Sequence, residues 1–282
     1  MRHRTTTTVS AALIDIDGVL TLSWKPLPGA VEALERLRDT GLPFLLLTNT
    51  TSRTRASIAT ALVGAGFPVS AESVLTAPSA TAAFLAEHHP GARCMLLNSG
   101  DVREDLTGVA LAEDDEATEG EDVDVVLVGG AGPEFGYRAL NRAFGHLQRG
   151  ARLVAMHRNL YWRTDRGLQL DGGAFLAGLE QASGQRAEVV GKPAAAFFAG
   201  ALTRLGVEAD RTLMVGDDIE SDVLAAQRCG IGGVLVRTGK FQGRTLRDAD
   251  GTPDHVLDSV ADLPGLVARL AHGVSSKAIG QP

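Results

Sequence analysis

Residues 11–20 read AALIDIDGVL, an apolar run that takes in two aspartates, Asp15 and Asp17, before it breaks at Gly18. A short apolar run is typical of a buried strand, and residues two apart on a strand point to the same face. The pattern therefore predicts that the two carboxylates project together from the end of a buried strand. Because carboxylates are costly to bury unless they are paired or bound to a metal, their position suggests a cation site.

The same pattern of an apolar run followed by a helix-length amphipathic stretch recurs at residues 44–49 (FLLLTN), 211–217 (RTLMVGD) and 232–239 (GGVLVRTG). Continuous apolar strands separated by helices predict a parallel sheet covered on both faces, the doubly wound α/β class. Ligands of such sheets bind at the carboxyl ends of the strands. The polar residues at the predicted strand ends are Asp15, Asp17, Thr48, Asn49, Asp217 and Asp218.

The interval after the second predicted strand is far longer than a crossover connection requires. It contains strand-like runs and helix-like runs of its own, which is enough for a second α/β layer. We therefore predict a core domain made of residues 1–76 and 189–282, interrupted by an inserted α/β cap domain at 77–188. A domain inserted near the strand ends is expected to cover the polar groups as a lid.

Composition argues against several classes of protein. The net charge of −7 disfavours nucleic acid or an anionic membrane surface as a partner, and no apolar run is long enough to span a membrane. The two cysteines, Cys94 and Cys229, suit reduced buried thiols and a cytoplasmic location. The acid-rich run at 113–124 is interpreted as a solvated loop, and residues 1–8 and 273–282 as frayed tails.

Hard oxygen ligands at the strand ends suit Mg²⁺, with Asp15 and Asp17 close together and Asp217 as a further ligand. An alternative for the first pair is structural, with Asp15 at the end of a sheet ladder and Asp17-Gly18 as a turn. That alternative is weakened because Asp217 and Asp218 repeat the pattern at a second strand end, with Asp222 one helical turn further on.

The hydroxyl of Thr48 and the backbone N–H groups after it suit a phosphoryl oxygen. For residues 49–52, a plain helix-entry loop with Ser52 as the cap is an equally good interpretation. Lys192 in the run VGKP could offset phosphate charge, although an exposed surface lysine is the usual alternative.

In order, the segments DIDGVL (15–20), LLTNT (46–50), VGKP (190–193) and VGDDIESD (215–222) resemble the four signature motifs of haloacid dehalogenase (HAD) superfamily phosphatases. The insertion between the second and third motifs resembles the large α/β cap of the NagD-like branch. Within that branch, residues 155–175 and 216–240 are most similar to the phospholysine phosphohistidine inorganic pyrophosphate phosphatase subgroup.

The resemblance implies a role for each matching residue. Asp15 would be the nucleophile that forms an aspartyl-phosphate, and Asp17 the general acid and base. Asp15, the backbone carbonyl of Asp17, and Asp217 would hold Mg²⁺, and the phosphoryl group would be bound by Thr48, Asn49 and Lys192. Asp218 and Asp222 would be auxiliary metal ligands or would support the ligand set. The implied partner is a small phosphorylated substrate, and a homodimer is plausible by resemblance.

The cap departs from the branch pattern at residues 156–159, where it reads Met-His-Arg-Asn. His157 and Arg158 are candidates for contact with the leaving group, with a solvent-facing pair as the favoured alternative. Tyr161 and Trp162 are interpreted as packing residues rather than a substrate shelf. Two other functions stay open: haloacid dehalogenase chemistry, which would leave Asp17 and the Asp217 cluster unexplained, and a non-catalytic phosphate-binding regulatory protein.

Overall fold

The structure, a computed structural model, describes residues 9–112, 122–164 and 167–271, without the side chains of residues 162–164. Both predicted tails and residues 113–121 of the acid-rich run lie outside the described residues. In chain order the strands are β1 (Ala11–Asp15), β2 (Thr21–Leu22), β3 (Lys25–Pro26), β4 (Phe44–Thr48), β5 (Val74–Thr76), β6 (Arg93–Leu97), β7 (Ala110–Leu111), β8 (Val125–Val128), β9 (Arg152–Ala155), β10 (Tyr161–Thr164), β11 (Gly167–Leu170), β12 (Glu188–Val189), β13 (Thr212–Gly216), β14 (Gly232–Val236) and β15 (His255–Leu257).

The α-helices lie between these strands or after the last of them, as the α/β pattern predicts. They are α1 (Ala30–Asp39), α2 (Arg55–Gly64), α3 (Ala77–His88), α4 (Tyr137–Gln148), α5 (Gly172–Ser183), α6 (Ala195–Leu205), α7 (Ala225–Arg228), α8 (Gly243–Asp248) and α9 (Leu263–Ala271). None of the helices in the described ranges is long and apolar enough to cross a membrane.

The larger sheet has six strands in the order β15-β14-β13-β1-β4-β5. Strand β1 pairs in parallel with both β13 and β4, and β14 pairs in parallel with β13 and β15. The chain first adds strands on one side of β1 and then returns to add β13, β14 and β15 on the other side. This winding confirms the predicted doubly wound α/β fold, and its direction reverses between β1 and β13.

The smaller sheet has five parallel strands in the order β12-β9-β8-β6-β7. Successive residues of β8 enter different apolar clusters: Val126 and Val128 pack on one side, and Val125 and Leu127 on the other. Because neighbouring side chains on a strand point to opposite faces, this sheet is buried on both faces. Strands β10 and β11 form a separate antiparallel pair.

The described residues form two compact units, the first lying within residues 1–47, 59–74 and 198–282 and the second within residues 48–58 and 75–197. The six-stranded sheet belongs to the first unit apart from the last residues of β4 and β5, and the five-stranded sheet belongs to the second. The assignment of residues 77–188 to an inserted cap stays a prediction.

Two local expectations from the sequence need correction. The spacing of Val31, Leu34 and Leu37 predicts that they share one buried face of a helix. In α1 that face is formed by Ala30, Ala33, Leu34 and Leu37, whereas Val31 is half-buried. The N-terminus of α2 is capped by Thr54 rather than by Ser52, because Thr54 Oγ1 accepts the Ser57 N–H at 3.2 Å. The helix begins at Arg55, so Ser52 lies too early in the chain to cap it.

Both cysteines are free thiols, as predicted, but only Cys94 is fully buried, and Cys229 is partly exposed. Burial, followed by the negative charge of Asp124, raises the pKa of Cys94 to about 11. A thiol with so high a pKa is a poor nucleophile, so Cys94 acts as a core residue.

Candidate active site

Two aspartates lie at the point where the six-stranded sheet reverses its winding direction. Asp15 is the last residue of β1, and Asp217 directly follows Gly216, the last residue of β13. The two strands are neighbours, with Ile14 paired to Val215. Ligands of doubly wound sheets bind outside the carboxyl ends of the strands at this reversal point. The topology therefore brings residues from both ends of the chain to one expected site.

A third carboxylate, Asp222, completes the cluster, and the ligand oxygens of Asp15, Asp217 and Asp222 lie within 4.8 Å of one another. Asp222 belongs to a π-helical turn, Ile219–Leu224. Gly216 allows this turn to approach, because a Cβ on Gly216 would overlap the Asp222 side chain. The sequence predicted Asp222 to be an auxiliary metal ligand or a residue that supports the ligand set, and the structure groups its side chain with the two strand-end aspartates.

Asp218 has a different position, at the start of the π-helical turn. Its Oδ1 accepts the N–H groups of Glu220 at 3.0 Å and Ser221 at 3.1 Å, and its own N–H donates to Asp222 Oδ2 at 3.3 Å. A carboxylate that accepts the first N–H groups of a helical turn acts as its cap. Asp218 therefore starts the turn that carries Asp222 into the cluster.

The three carboxylates are buried, with Asp15, Asp217 and Asp222 exposing 7%, 2% and 1% of their surface. Burial first, and then the negative charges of Asp15 and Asp222, raise the pKa of Asp217 from 3.8 to about 8, against the opposing effect of Lys240. The Asp217 Oδ1 atom has no hydrogen-bond partner among the described residues. Three buried oxygen donors with one of them uncompensated fit a hard divalent cation such as Mg²⁺.

The alternation predicted that Asp17 lies on a regular strand together with Asp15. In the structure β1 ends at Asp15, and Asp17 is exposed. A tight turn begins directly after the strand. The N–H groups of Leu20 and Thr21 donate to Ile16 O, and the Gly18 N–H donates to Thr21 O at 2.7 Å. Gly18 has a φ of +87°, which favours glycine, so the chain turns where the sequence places its glycine.

The predicted phosphoryl-binding residues lie in the second unit. Thr48 is buried, and its Oγ1 donates to Thr50 Oγ1 at 2.9 Å and accepts the Thr50 N–H at 3.0 Å. Lys192 is only 5% exposed, so its interpretation as an ordinary surface lysine is wrong. A lysine is rarely buried unless its charge has a function or a partner.

Asn49 and Lys192 are joined by two hydrogen bonds. Asn49 Nδ2 donates to Lys192 O at 2.8 Å, and the Lys192 N–H donates to Asn49 Oδ1 at 2.9 Å. Gly191 permits this approach, because a Cβ there would lie 2.7 Å from Asn49 Oδ1. The second and third motifs, distant in the sequence, are therefore connected through one carboxamide and one peptide backbone.

His157 and Arg158 are not the solvent-facing pair that the sequence favoured. His157 is 2% exposed, with its Nε2 atom 3.9 Å from Asp171 Oδ2. Arg158 forms a two-point ion pair with the buried Glu180, with Nη1 donating to Oε2 at 3.0 Å. Tyr161, in contrast, is 60% exposed and is not the packing residue that the sequence suggested. Contact of His157 and Arg158 with a leaving group stays a prediction.

Sequence reasoning missed a set of residues that order the loops of the second unit. Asn98 Oδ1 and Thr51 Oγ1 both accept the Gly130 N–H at 2.9 Å, and Asp171 Oδ1 accepts the Ala131 N–H at 3.1 Å. Asp171 also caps α5, which an aspartate directly before an apolar helix signals. Asn98 directly follows an apolar run, the same signal that identified Thr48.

The comparisons with known proteins agree with this geometry. The family model for haloacid dehalogenase-like hydrolases matches residues 12–112, and a second HAD-like hydrolase model matches residues 189–263. The phospholysine phosphohistidine inorganic pyrophosphate phosphatase of Xenopus laevis is 36% identical over 261 residues, which is 90% of this chain and 92% of that protein. The chain therefore belongs to the haloacid dehalogenase-like hydrolase family.

Other relatives and solved structures indicate which class of hydrolase the chain belongs to. The haloacid dehalogenase-like hydrolase domain-containing protein 2 of Bos taurus is 37% identical over 83% of this chain and 86% of that protein. The structure of 4-nitrophenylphosphatase from Thermotoga maritima matches with a TM-score of 0.84 at 26% identity, covering 94% of this chain and 100% of that one. NagD from E. coli matches with a TM-score of 0.81 at 29% identity, over 91% and 98% of the two chains. The chain is thus a hydrolase, a NagD-like phosphatase of the HAD family.

Proposed function

We propose that this phosphatase requires Mg²⁺ and hydrolyses small phosphate monoesters or related phospho-compounds through an aspartyl-phosphate on Asp15. The observation that carries the proposal is the cluster of three buried carboxylates at the reversal point of the sheet. Dehalogenase chemistry needs a nucleophilic aspartate but gives no reason to bury two more carboxylates beside it.

The metal would be held by the side chains of Asp15, Asp217 and Asp222, together with the backbone carbonyl of Asp17 that the family resemblance implies. When bound, Mg²⁺ would neutralise negative charge on the phosphoryl group and on the carboxylates. The raised pKa of Asp217 supports this assignment, because burial and the negative charges of Asp15 and Asp222 cause it, and a bound cation would offset both effects.

In the first half of the reaction, an Asp15 carboxylate oxygen attacks phosphorus as the bond to the leaving oxygen breaks. Asp17 gives its proton to that oxygen, and the product alcohol departs. In the second half, Asp17 takes a proton from water, which attacks phosphorus, releases inorganic phosphate and restores Asp15. The exposed position of Asp17 supports this role, because a proton carrier has to reach substrate and water.

Thr48, Asn49 and Lys192 would bind the phosphoryl group. The burial of Lys192 supports an electrostatic role, because its ammonium would provide positive charge in a site with little water. The two hydrogen bonds between the Asn49 carboxamide and the backbone of Lys192 would also hold that lysine in place.

The names of the relatives suggest the first substrates to test. The Xenopus laevis relative is named for phospholysine, phosphohistidine and inorganic pyrophosphate, and the Thermotoga maritima neighbour for 4-nitrophenyl phosphate. We propose that this chain accepts compounds with a phosphoryl group on oxygen or nitrogen. A cytoplasmic location and a homodimer belong to the same proposal, on cysteine content and family resemblance.

The test is turnover of p-nitrophenyl phosphate by the full chain with Mg²⁺, with EDTA, and in Asp15→Asn. We expect turnover that EDTA abolishes and Mg²⁺ restores, and a loss in Asp15→Asn of at least about 10³-fold. Asp39→Asn is the matched control, because Asp39 is an exposed carboxylate at the end of α1. Activity that persists in EDTA or in Asp15→Asn contradicts the proposal, and halide release from a haloacid would favour a dehalogenase.

A further inference from the structure

The carboxylate of Asp217 lies between two loops that leave neighbouring strands. Strand β13, which precedes Asp217, has β1 on one side and β14 on the other. The loop after β1 contains Gly18, and the loop after β14 contains Thr238, Gly239 and Lys240. Both loops extend from the carboxyl edge of the sheet. Because β13 lies between β1 and β14, both loops reach the Asp217 side chain that follows β13.

Both loops have glycine where they meet Asp217. Gly18 and Gly239 have φ values of +87° and +58°, a conformation that side chains rarely adopt. A Cβ at either position would also overlap Asp217 Oδ2. The two glycines are thus required twice, by their backbone conformation and by the close approach to one carboxylate oxygen.

Hydrogen bonds fix the same arrangement. The Lys240 N–H donates to Asp217 Oδ2 at 2.6 Å. Thr238 Oγ1 donates to Gly18 O at 2.5 Å and so joins the two loops to each other. One oxygen of Asp217 is therefore held by the loop after β14, and that loop is in turn fastened to the residue next to Asp17.

The other oxygen of Asp217 has a different environment. Oδ1 has no hydrogen-bond partner among the described residues, although Asp217 is 2% exposed, and the carboxylate belongs to the cluster with Asp15 and Asp222. A buried carboxylate oxygen without a hydrogen bond is costly, and a bound cation would remove the cost for Asp217 Oδ1.

From these contacts we infer that residues 238–240 are a positioning loop for the metal site, which holds Asp217 Oδ2 and the Gly18 peptide so that Oδ1 is presented to the divalent cation. The inference rests on the metal requirement of the proposed function and adds three residues that the signature motifs do not include. Lys240 acts in it through its backbone N–H, and Thr238 through its hydroxyl. Both are positioning residues, because they act on the cation through Asp217 and Gly18.

The inference is tested by calorimetric titration of Mg²⁺ into the metal-free full chain and its variants. Gly239→Ala places a methyl group against Asp217, and we expect it to weaken Mg²⁺ binding by about 10- to 100-fold, as loss of a partner that orients a metal ligand does. Thr238→Val removes only the bond to Gly18 and is expected to weaken binding by about 3- to 10-fold. Thr238→Ser retains the hydroxyl and is expected to restore wild-type affinity.

Thr245→Val is the matched control, because Thr245 Oγ1 also donates to a backbone carbonyl, that of Gln242 at 2.8 Å, but has no bond to the carboxylates. In turnover, the Mg²⁺ concentration for half-activation should rise in Thr238→Val and Gly239→Ala, while KM for p-nitrophenyl phosphate at saturating Mg²⁺ changes less than twofold.

Circular dichroism shows whether each variant folds. If Gly239→Ala does not fold, the Mg²⁺ affinity of the milder Thr238→Val variant tests the inference. Folded Thr238→Val that binds Mg²⁺ as tightly as the wild type overturns the inference and leaves the proposed function intact. A wild-type chain that binds no Mg²⁺ overturns both.

Discussion

The carboxamide of Asn49 hydrogen-bonds the backbone of Lys192 in both directions, through bonds of 2.8 and 2.9 Å. One side chain thereby satisfies the N–H and the C=O of the residue that carries the buried ammonium. These two bonds use both the N–H and the C=O of Lys192, so they restrict rotation of its backbone. We attribute to Asn49 a positioning role in addition to its proposed contact with phosphate.

The first prediction follows from this pair. Asn49→Ala leaves both backbone groups of Lys192 without their partners and should lower the free energy of unfolding by about 1–3 kcal/mol. It should also lower kcat/KM for p-nitrophenyl phosphate by about 10- to 100-fold, because a misplaced binding group costs rate. Chemical denaturation and steady-state kinetics provide the two measurements. The control is Asn141→Ala on the exposed surface of α4. Equal kinetics for both variants would contradict the positioning role.

The second prediction concerns the pH dependence of the Arg158–Glu180 ion pair. Burial acts to raise the pKa of Glu180, but hydrogen bonds from Arg158 and the Ala187 N–H, and the charges of Arg158 and Arg186, lower it below 4.5. Because the folded pKa lies below the unfolded value, the pair contributes stability that is present above about pH 4.5 and is lost as the pH falls through the folded pKa.

Arg158→Gln should accordingly lower the free energy of unfolding by about 1–3 kcal/mol at neutral pH, and the difference from wild type should shrink below about pH 4.5. Denaturant titrations at several pH values check this. Arg237→Gln is the control, because Arg237 pairs with the largely exposed Asp258 and should contribute at most about 1 kcal/mol. A cost of Arg158→Gln that is constant with pH, or equal to that of the control, would show that the pair does not stabilise the fold in this way.

The third prediction separates two neighbouring aspartates. Asp222 belongs to the carboxylate cluster, whereas Asp218 caps the turn that contains Asp222. Asp222→Asn should weaken Mg²⁺ binding by about 10- to 100-fold, while Asp218→Asn, which retains an acceptor oxygen for the cap, should change it by no more than about threefold. Calorimetric titration of both variants gives the comparison. If Asp218→Asn weakens binding as much as Asp222→Asn, the assignment of the two side chains is wrong.

The fourth prediction concerns the order of the loops in the second unit. Asp171 Oδ1 accepts the Gly172 N–H at 2.7 Å and the Ala131 N–H at 3.1 Å. Asp171→Ala should lower the free energy of unfolding by about 1–2 kcal/mol, and Asp171→Asn, which retains an acceptor oxygen, by less. Thermal or denaturant unfolding distinguishes the two variants. An alanine variant as stable as the wild type would contradict the capping role.

The sequence predicted the sheet and the positions of Asp15 and Asp217 because apolar strands and the polar residues that end them leave a local pattern. It did not predict that the regular strand ends at Asp15, since alternation assumes a strand that continues to Asp17. It could not decide between a phosphate-binding and a surface position for Lys192, because the burial of that residue depends on residues far away in the sequence.

The loop of residues 238–240 was missed for a related reason. The Lys240 N–H acts on Asp217, and a backbone donor has no signature among residue types. The burial of Asp222 likewise depends on a π-helical turn that one-turn spacing does not reveal. Local pattern thus predicted the strand ends, and contacts between distant segments determined the rest of the site.

The central claim is that the buried carboxylates hold a divalent cation that turnover requires. The most direct measurement is calorimetric titration of Mg²⁺ into the metal-free wild-type chain and into Asp217→Asn, with p-nitrophenyl phosphate turnover of the same samples. We expect the wild type to bind Mg²⁺ and to turn over only with it, and Asp217→Asn to lose both. Binding and turnover that persist in Asp217→Asn, or wild-type turnover that is unchanged in EDTA, would contradict the account.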